Sequence, residues 1–212
     1  MKTAPLCLAL LCAFASAASA QDAGSTILVI GDSHSAGTFG EQFDASLRNI
    51  GSGRGGKVAF FAVCSSGPGS WLNESEHGCG FLFRDFDKKV PAKWLRMRKG
   101  TVRVNGQDRE VTFVKTPSLT QLLADYKPQI TIIALGSNPT SADGVEKMLE
   151  LVHQTGSACA WIGPPYMRSP PKDAVDRTYD GALKKSGVDA SLKLSETKQT
   201  GCALIDSRLV NV

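Results

Sequence analysis

A serine closely follows the apolar run Ile27–Ile30 in a context that suits nucleophilic chemistry. The run Ile27–Ile30 leads directly into Gly31, Asp32 and Ser33. A buried strand that stops at a glycine presents the next polar residues at its carboxyl end, where ligands and chemistry lie in open α/β sheets. A serine on a tight turn at that position is a candidate nucleophile. The sequence therefore predicts Ser33 as the catalytic residue.

Two further polar turns follow later apolar runs. Val58–Val63 precedes a turn that contains Gly67, and Ile130–Leu135 precedes a turn that contains Asn138. The carboxyl ends of parallel strands meet at one edge of a sheet, so these turns and Ser33 should converge on one crevice. The N–H of Gly67 and the side-chain amide of Asn138 could then stabilise an oxyanion. Each turn alone is weak evidence, because Gly, Ser and Asn favour turns anyway.

The elements that must position these turns alternate along the chain. Ala158–Ile162 and Cys202–Asp206 complete a set of five apolar runs, which are continuous, as expected for parallel strands covered on both faces. Segments with helical spacing separate the runs: Glu41–Asn49, Ser118–Tyr126, Ala142–Gln154, Asp189–Glu196 and, more weakly, Asp173–Lys184. This alternation predicts a three-layer α/β/α sandwich with a parallel sheet.

One segment departs from this pattern. Thr101–Val114 alternates apolar and polar residues around Asn105 and Gly106, which predicts an inserted β-hairpin peripheral to the main sheet. The preceding segment, Lys88–Lys99, holds six basic residues around Trp94 and no acidic ones. It is either a solvated face or a docking surface for an anionic polymer, with Trp94 stacking on a sugar. We favour the solvated face, because most charge runs have no dedicated partner.

The amino terminus has the features of an export signal. Lys2 precedes the apolar segment Leu6–Phe14, and small residues lead to a cleavage site near Ala20 and Gln21. Residues 1–20 are therefore predicted to be a signal peptide, too short and wrongly flanked for a membrane span. Residues 21–212 form one predicted domain, periplasmic or secreted. Its net charge, close to +3, does not imply a nucleic-acid partner.

The cysteines agree with export. After removal of the predicted signal peptide, four remain: Cys64, Cys79, Cys159 and Cys202. Four cysteines in an exported domain suggest two disulfides, for which three connectivities exist. A zinc site is disfavoured, because the sequence has neither a Cys-x-x-Cys pair nor closely spaced histidines. No metal and no cofactor is expected.

Three of these segments together resemble the sequence blocks of the SGNH/GDSL hydrolase family. Gly31–Ser35 is similar to the first block, Gly67 (or Gly69) to the glycine of the second, and Gly136–Asn138 to the third. Trp161–Pro165 also resembles the end of the fourth strand in exported members. The similarity extends from Thr26 to about Arg208.

The resemblance implies a flavodoxin-like, five-stranded parallel sheet of order 2-1-3-4-5. It further implies ester hydrolysis with Ser33 as nucleophile and with Gly67 and Asn138 in the oxyanion hole. Exported members often remove O-acetyl groups from a polysaccharide or a cell-wall glycan, so an acylated carbohydrate or another small ester is the expected substrate. The oligomeric state is left open.

The last block of the family, Asp-x-x-His, supplies the general base, and we expect this chain to lack it. Asp206 has the spacing, but leucine occupies the histidine position. The histidines are His34, beside Ser33; His77, in the loop after the second strand; and His153, at the end of a predicted helix. Without a base, serine is a poor nucleophile. A catalytically inactive glycan-binding protein and an acyltransferase-related domain therefore stand as alternatives.

For the disulfides we predict the pairs Cys64–Cys79 and Cys159–Cys202. The first would close a short loop around Gly67. The second would join the starts of the fourth and fifth strands, which should be neighbours.

Overall fold

Helices and strands alternate along most of the described chain. The computed structural model describes residues 25–53, 55–136, 138, 142–162 and 202–205. The predicted signal peptide, the two predicted helices between residues 173 and 196, and Asp206 lie outside the described residues. The elements, in chain order, are β1 (Thr26–Gly31), α1 (Thr38–Ser52), β2 (Lys57–Val63), α2 (Pro68–Asn73), β3 (Glu76–His77), β4 (Phe81–Arg84), a 3₁₀ turn (Ala92–Trp94), β5 (Met97–Val104), β6 (Gln107–Lys115), α3 (Leu119–Tyr126), β7 (Ile130–Ala134), α4 (Ala142–Gln154), β8 (Ala158–Ile162) and β9 (Cys202–Ile205).

The main sheet has six strands in the order β4-β2-β1-β7-β8-β9. Five are parallel, and they are the five apolar runs of the sequence. The sixth, β4, pairs antiparallel with β2, with Phe61 opposite Phe83. The prediction of five strands is therefore wrong at this edge. A run of four residues is too short for its periodicity to distinguish a strand from a loop.

The register of the central strands sets the position of the three turns. Gly31, the last residue of β1, lies opposite Ala62 of β2 and Ala134 of β7. The backbone N–H of Asp32 then donates to the Ala134 carbonyl at 3.2 Å. The three strands consequently end at the same level, and the segments that follow them leave the sheet side by side.

Apolar side chains cover both faces of the main sheet. On one face, Leu28 and Phe61 belong to a cluster that includes residues of α2, α3 and α4. On the other face, Val29 and Phe60 pack with Phe43 of α1. Because both faces are covered, the parallel strands are continuously apolar instead of alternating.

The predicted hairpin is confirmed, and it forms a separate sheet of order β3-β6-β5. Its turn residues Asn105 and Gly106 have φ angles of 51° and 79°. Positive φ at both positions is typical of the turn that matches the twist of a two-residue hairpin. The base of the hairpin is not peripheral, because Val114 is 1% exposed and belongs to the main core. Only the distal part projects from the body.

The basic segment before the hairpin does not offer an aromatic platform. Trp94 is buried, and its ring lies edge-on to Phe61 with centroids 6.4 Å apart. A tryptophan in the core cannot stack on a sugar, so that part of the docking hypothesis is wrong. Several of the cations pair with acids from other segments, including Arg98 with Glu76 and Lys93 with Asp125. This pairing favours the interpretation as a solvated face.

Two disulfides join the described cysteines, Cys64 to Cys79 and Cys159 to Cys202. Cys159 and Cys202 are register partners on the neighbouring strands β8 and β9. The other pair links the end of β2 to the segment before β4. Within the described residues, no helix combines the length and the apolar character needed to cross a membrane.

Candidate active site

The nucleophile candidate lies on a short turn between β1 and α1. Ser33 is exposed, whereas Asp32 and Ser35 on either side are 2% and 1% exposed. The Ala36 N–H donates to the Asp32 carbonyl at 2.9 Å and closes the turn. Burial of the two flanking side chains therefore orients Ser33 toward solvent at the carboxyl edge of the sheet.

Two glycines make this turn possible by allowing close approach of the chain. A Cβ on Gly31 would lie 2.3 Å from the Cβ of Ser35. A Cβ on Gly40, in the first turn of α1, would lie 1.7 Å from the Ser35 carbonyl oxygen. Both distances are far inside van der Waals contact. The turn that carries Ser33 is thus packed against β1 on one side and α1 on the other.

The second turn, Cys64–Gly67, connects β2 to α2. Ser65 has a positive φ of 59°, and Ser66 is fully buried. The N–H of Cys64 donates to the carbonyl oxygen of Gly80 at 3.0 Å, beside the disulfide between Cys64 and Cys79. The N–H of Gly67 donates to the Ser70 hydroxyl at 3.3 Å, a long hydrogen bond.

The third turn places an amide next to the second. The Nδ2 of Asn138 donates to the Ser66 carbonyl at 2.9 Å. The Ser66 carbonyl and the Gly67 N–H are the two ends of one peptide group, so the peptide that binds the Asn138 amide also carries the Gly67 donor. This hydrogen bond holds the Asn138 side chain beside the second turn.

Hydrogen bonds also connect the second turn to β1. The Ser66 hydroxyl lies 3.2 Å from the carbonyl oxygen of Gly31, two residues before Ser33. The turns that carry Ser33, Gly67 and Asn138 are therefore linked at one edge of the sheet. Among the described residues, none forms a hydrogen bond with the Ser33 hydroxyl.

Of the three histidines, His34 is the one that lies in a crevice turn. Its backbone N–H donates to Oδ1 of Asp32 at 3.0 Å, and its Nδ1 lies 3.6 Å from the same oxygen. The interaction of the imidazole with the Asp32 carboxylate raises the pKa of His34 above the ordinary value of 6.5, against a smaller opposing effect of burial. The imidazole is partly exposed. It can therefore exchange protons with solvent.

The other two histidines lie elsewhere. His77 is in β3, opposite Val114, where burial lowers its pKa. Its Nε2 is buried, with no hydrogen-bond partner among the described residues. His153 is exposed in the last turn of α4, which ends at the opposite edge of the sheet from the crevice. Neither belongs to the three turns.

Two residues that hold the site together were missed by sequence reasoning. Ser66 connects all three turns, and Trp71 donates its indole N–H to the Ser66 hydroxyl at 3.2 Å. Both belong to a segment rich in glycine, serine and proline, which favours turns for local reasons. The short helix α2, which begins at Pro68 and carries Trp71, was missed for the same reason. Trp71, a large apolar residue among turn-forming residues, was the signal in the sequence that could have indicated a buried helix there.

Comparisons with known proteins found two similar solved structures. One is a psychrotrophic esterase, EstA from Pseudoalteromonas sp., crystallised with monoethylphosphonate as inhibitor; it is 12% identical, with a TM-score of 0.47 over 86% of this chain and 76% of that chain. The other is TesA, 16% identical, with a TM-score of 0.44 over 82% of this chain and 88% of that chain. At these values neither likeness establishes a family. No family model and no curated protein matches the chain.

Proposed function

We propose that this chain is an exported serine esterase of the SGNH/GDSL type that removes O-acetyl groups from a polysaccharide or a cell-wall glycan. The observation that supports it best is that Ser66 bonds both the carbonyl of Gly31, two residues before the exposed Ser33, and the amide of Asn138, and directly precedes Gly67. The sequence resemblance suggests the same three residues. Two disulfides are compatible with an oxidising compartment.

In this proposal Ser33 performs nucleophilic catalysis. Its Oγ attacks the ester carbonyl carbon, the hydroxyl proton passes to a base, and the carbonyl π electrons move to the oxygen. The Gly67 N–H and the Asn138 Nδ2–H donate to that oxyanion, which is a stronger acceptor than the Ser70 hydroxyl because it is charged. Collapse of the intermediate breaks the bond to the alkoxide oxygen, which takes the proton from the protonated base and leaves as the alcohol. The remaining acyl-serine is then hydrolysed by water, which gives one proton to the base and, through it, restores the Ser33 hydroxyl as the acid is released.

For the base, the described part of the chain favours His34. It lies in the same turn as Ser33, and Asp32 stabilises its protonated form. A histidine with a carboxylate partner is the usual arrangement for taking up the proton of a serine. The chemistry requires that Nε2 reach Oγ of Ser33 when substrate is bound.

Hydrolysis of p-nitrophenyl acetate by the full chain tests the proposal. We expect Ser33→Ala to reduce kcat on the order of 10³-fold or more, because no second nucleophile replaces the hydroxyl. Ser46→Ala, at an exposed serine of α1, is the matched control and should leave the rate unchanged. Equal rates for Ser33→Ala and the unaltered chain would contradict an esterase that uses Ser33.

A glycan-binding protein without turnover is a second candidate function. The sequence favours it in one respect, because leucine follows Asp206 at the position where the Asp-x-x-His block has the histidine that would act as base. Calorimetry with an O-acetylated glycan separates the two. Binding without release of acetate, unchanged in Ser33→Ala, would replace the esterase by the binding protein. Transfer of the acyl group to an added sugar would instead identify the acyltransferase.

A further inference from the structure

Ser66 is the point at which the three turns of the crevice meet. Its hydroxyl lies 2.7 Å from the carbonyl oxygen of Val63 and 3.2 Å from that of Gly31. Its own carbonyl accepts the Asn138 amide at 2.9 Å. One residue thus contacts the ends of β1 and β2 and the turn after β7.

The hydroxyl of Ser66 uses both its donor and its acceptor capacity. It carries one hydrogen, directed at the Val63 carbonyl with Gly31 as a longer second contact, and it accepts the indole N–H of Trp71. Ser66 and Trp71 are both 0% exposed. Water therefore does not replace a lost contact, and removal of the hydroxyl leaves a buried N–H without an acceptor.

We propose that Ser66 and Trp71 are positioning residues of the oxyanion hole, an inference that rests on the proposed function. The two side chains hold the peptide group between Ser66 and Gly67. One end of that group, the Ser66 carbonyl, orients the amide of Asn138. The other end is the Gly67 N–H. A rotation of this single peptide displaces both oxyanion donors at once.

Kinetics of Ser66→Ala and Trp71→Phe test the proposal. Trp71→Phe removes the indole donor but keeps an aromatic ring in the core. We expect kcat to fall about 10- to 100-fold in each variant while KM stays within about 2-fold, because the donors act on the oxyanion and not on the bound ester. Ser157→Ala is the matched control.

Ser157 suits this purpose because it is buried and hydrogen-bonded to Thr131 at 2.8 Å, at the amino end of β8. Its replacement has the same chemistry as Ser66→Ala but lies at the opposite edge of the sheet. All variants are assayed well below their melting temperatures. A kcat for Ser66→Ala no lower than that of Ser157→Ala would overturn the positioning role.

The side-chain amide of Asn138 gives a readout that does not need turnover. In ¹H–¹⁵N spectra, assigned with Asn138→Asp, we expect its signals to move and to exchange faster in Ser66→Ala and Trp71→Phe than in Ser157→Ala. Unchanged signals would refute the positioning role. Moved signals together with an activity that is unchanged in Ser33→Ala would retain the positioning of Asn138 by Ser66 and Trp71 and refute the esterase. Failure of the positioning role and failure of the esterase proposal therefore give different results.

Discussion

The two sheets of this molecule use polar residues in opposite ways. Around the six-stranded sheet they are buried and hydrogen-bonded to the backbone or to one another, as Ser66 is in the crevice and Asp44 is on α1. In the three-stranded hairpin sheet they form exposed ion pairs, of which Arg98 with Glu76 is typical. The donor–acceptor distances in the two regions are similar, but the burial of the groups differs.

The burial of each contact determines how much it contributes to the stability of the fold. A buried pair has no water to replace a lost partner, so breaking it leaves an uncompensated group. An exposed pair is screened by solvent and salt, and its loss is usually small. We therefore expect the body and the crevice to be intolerant of single polar changes, and the distal hairpin to accept them.

The largest expected effect is at Asp44. Its carboxylate accepts Nε of Arg48 at 2.8 Å and Nη1 of Arg84 at 2.9 Å, and it is 0% exposed. Asp44→Asn should lower the free energy of unfolding by about 3 kcal/mol, because the nearly buried Arg48 loses its counter-charge and Arg84 keeps only a 3.7 Å contact with Glu41. Urea unfolding measures the change.

The matched substitution in the hairpin sheet is Glu76→Gln, which breaks the exposed pair with Arg98. It should leave the urea midpoint almost unchanged. Equal losses in the two variants would remove the distinction between the two sheets.

A similar contrast exists within the nucleophile turn. Gly40→Ala should destabilise the chain by about 3 kcal/mol and lower any Ser33-dependent rate, because the added Cβ overlaps the Ser35 carbonyl. Gly37→Ala is the control, since a Cβ there meets its nearest atom at 3.8 Å. Thermal unfolding and esterase assays of both variants measure the predicted losses of stability and of rate. A Gly40→Ala chain as stable as Gly37→Ala would contradict the close packing.

The histidines of the two regions should respond to pH with opposite signs. The pKa of His34 is raised by its interaction with the Asp32 carboxylate, so this interaction is fully present below about pH 6.5 and is lost as pH rises through the folded-state pKa. The pKa of His77 is lowered by burial, so its folded environment loses stability as pH falls below about 6.5 toward the folded-state pKa.

His34→Gln should therefore weaken the fold mainly at acid pH, whereas His77→Gln should make it less sensitive to acid. Urea midpoints between pH 5 and pH 8, with NMR titration of both imidazoles, measure these slopes. If both substitutions changed the pH dependence of the urea midpoint in the same direction, the opposite pKa shifts of His34 and His77 would be contradicted.

The smallest effect is expected from shortening the hairpin. Removing residues 101–110 and joining Gly100 to Val111, which face each other across the two strands, should shift Tm by no more than about 2 °C. Val114→Ala, at the buried base, should cost about 2 kcal/mol because it leaves a cavity in the core. Loss of cooperative unfolding in the shortened chain would show that the distal hairpin belongs to the body.

Much of the framework follows from local patterns that the sequence displays directly. The five parallel strands are continuous apolar runs, because each is covered on both faces, and the hairpin is recognisable from alternation around Asn105 and Gly106. α4 has the predicted bounds, and α1 extends beyond the prediction at both ends, to Thr38 and Ser52. Helix ends depend on the contacts of the first and last turns, which periodicity does not report.

Other features depend on residues that are distant in the chain. The antiparallel strand β4 is a strand because β2 offers it an edge, and Trp94 is buried because the body covers it, although its neighbours in sequence are basic. The acids that pair with the basic segment come from other elements, which a scan of that segment alone does not include.

The crevice shows the same division most clearly. Local sequence alone predicted that Ser33, Gly67 and Asn138 follow three strands, because a strand end and the turn after it can be recognised from a few neighbouring residues. Only the tertiary structure determined that Ser66 joins those turns and that Trp71 holds Ser66. A buried hydroxyl is defined by the carbonyl and indole groups that surround it, and these come from segments up to 35 residues away.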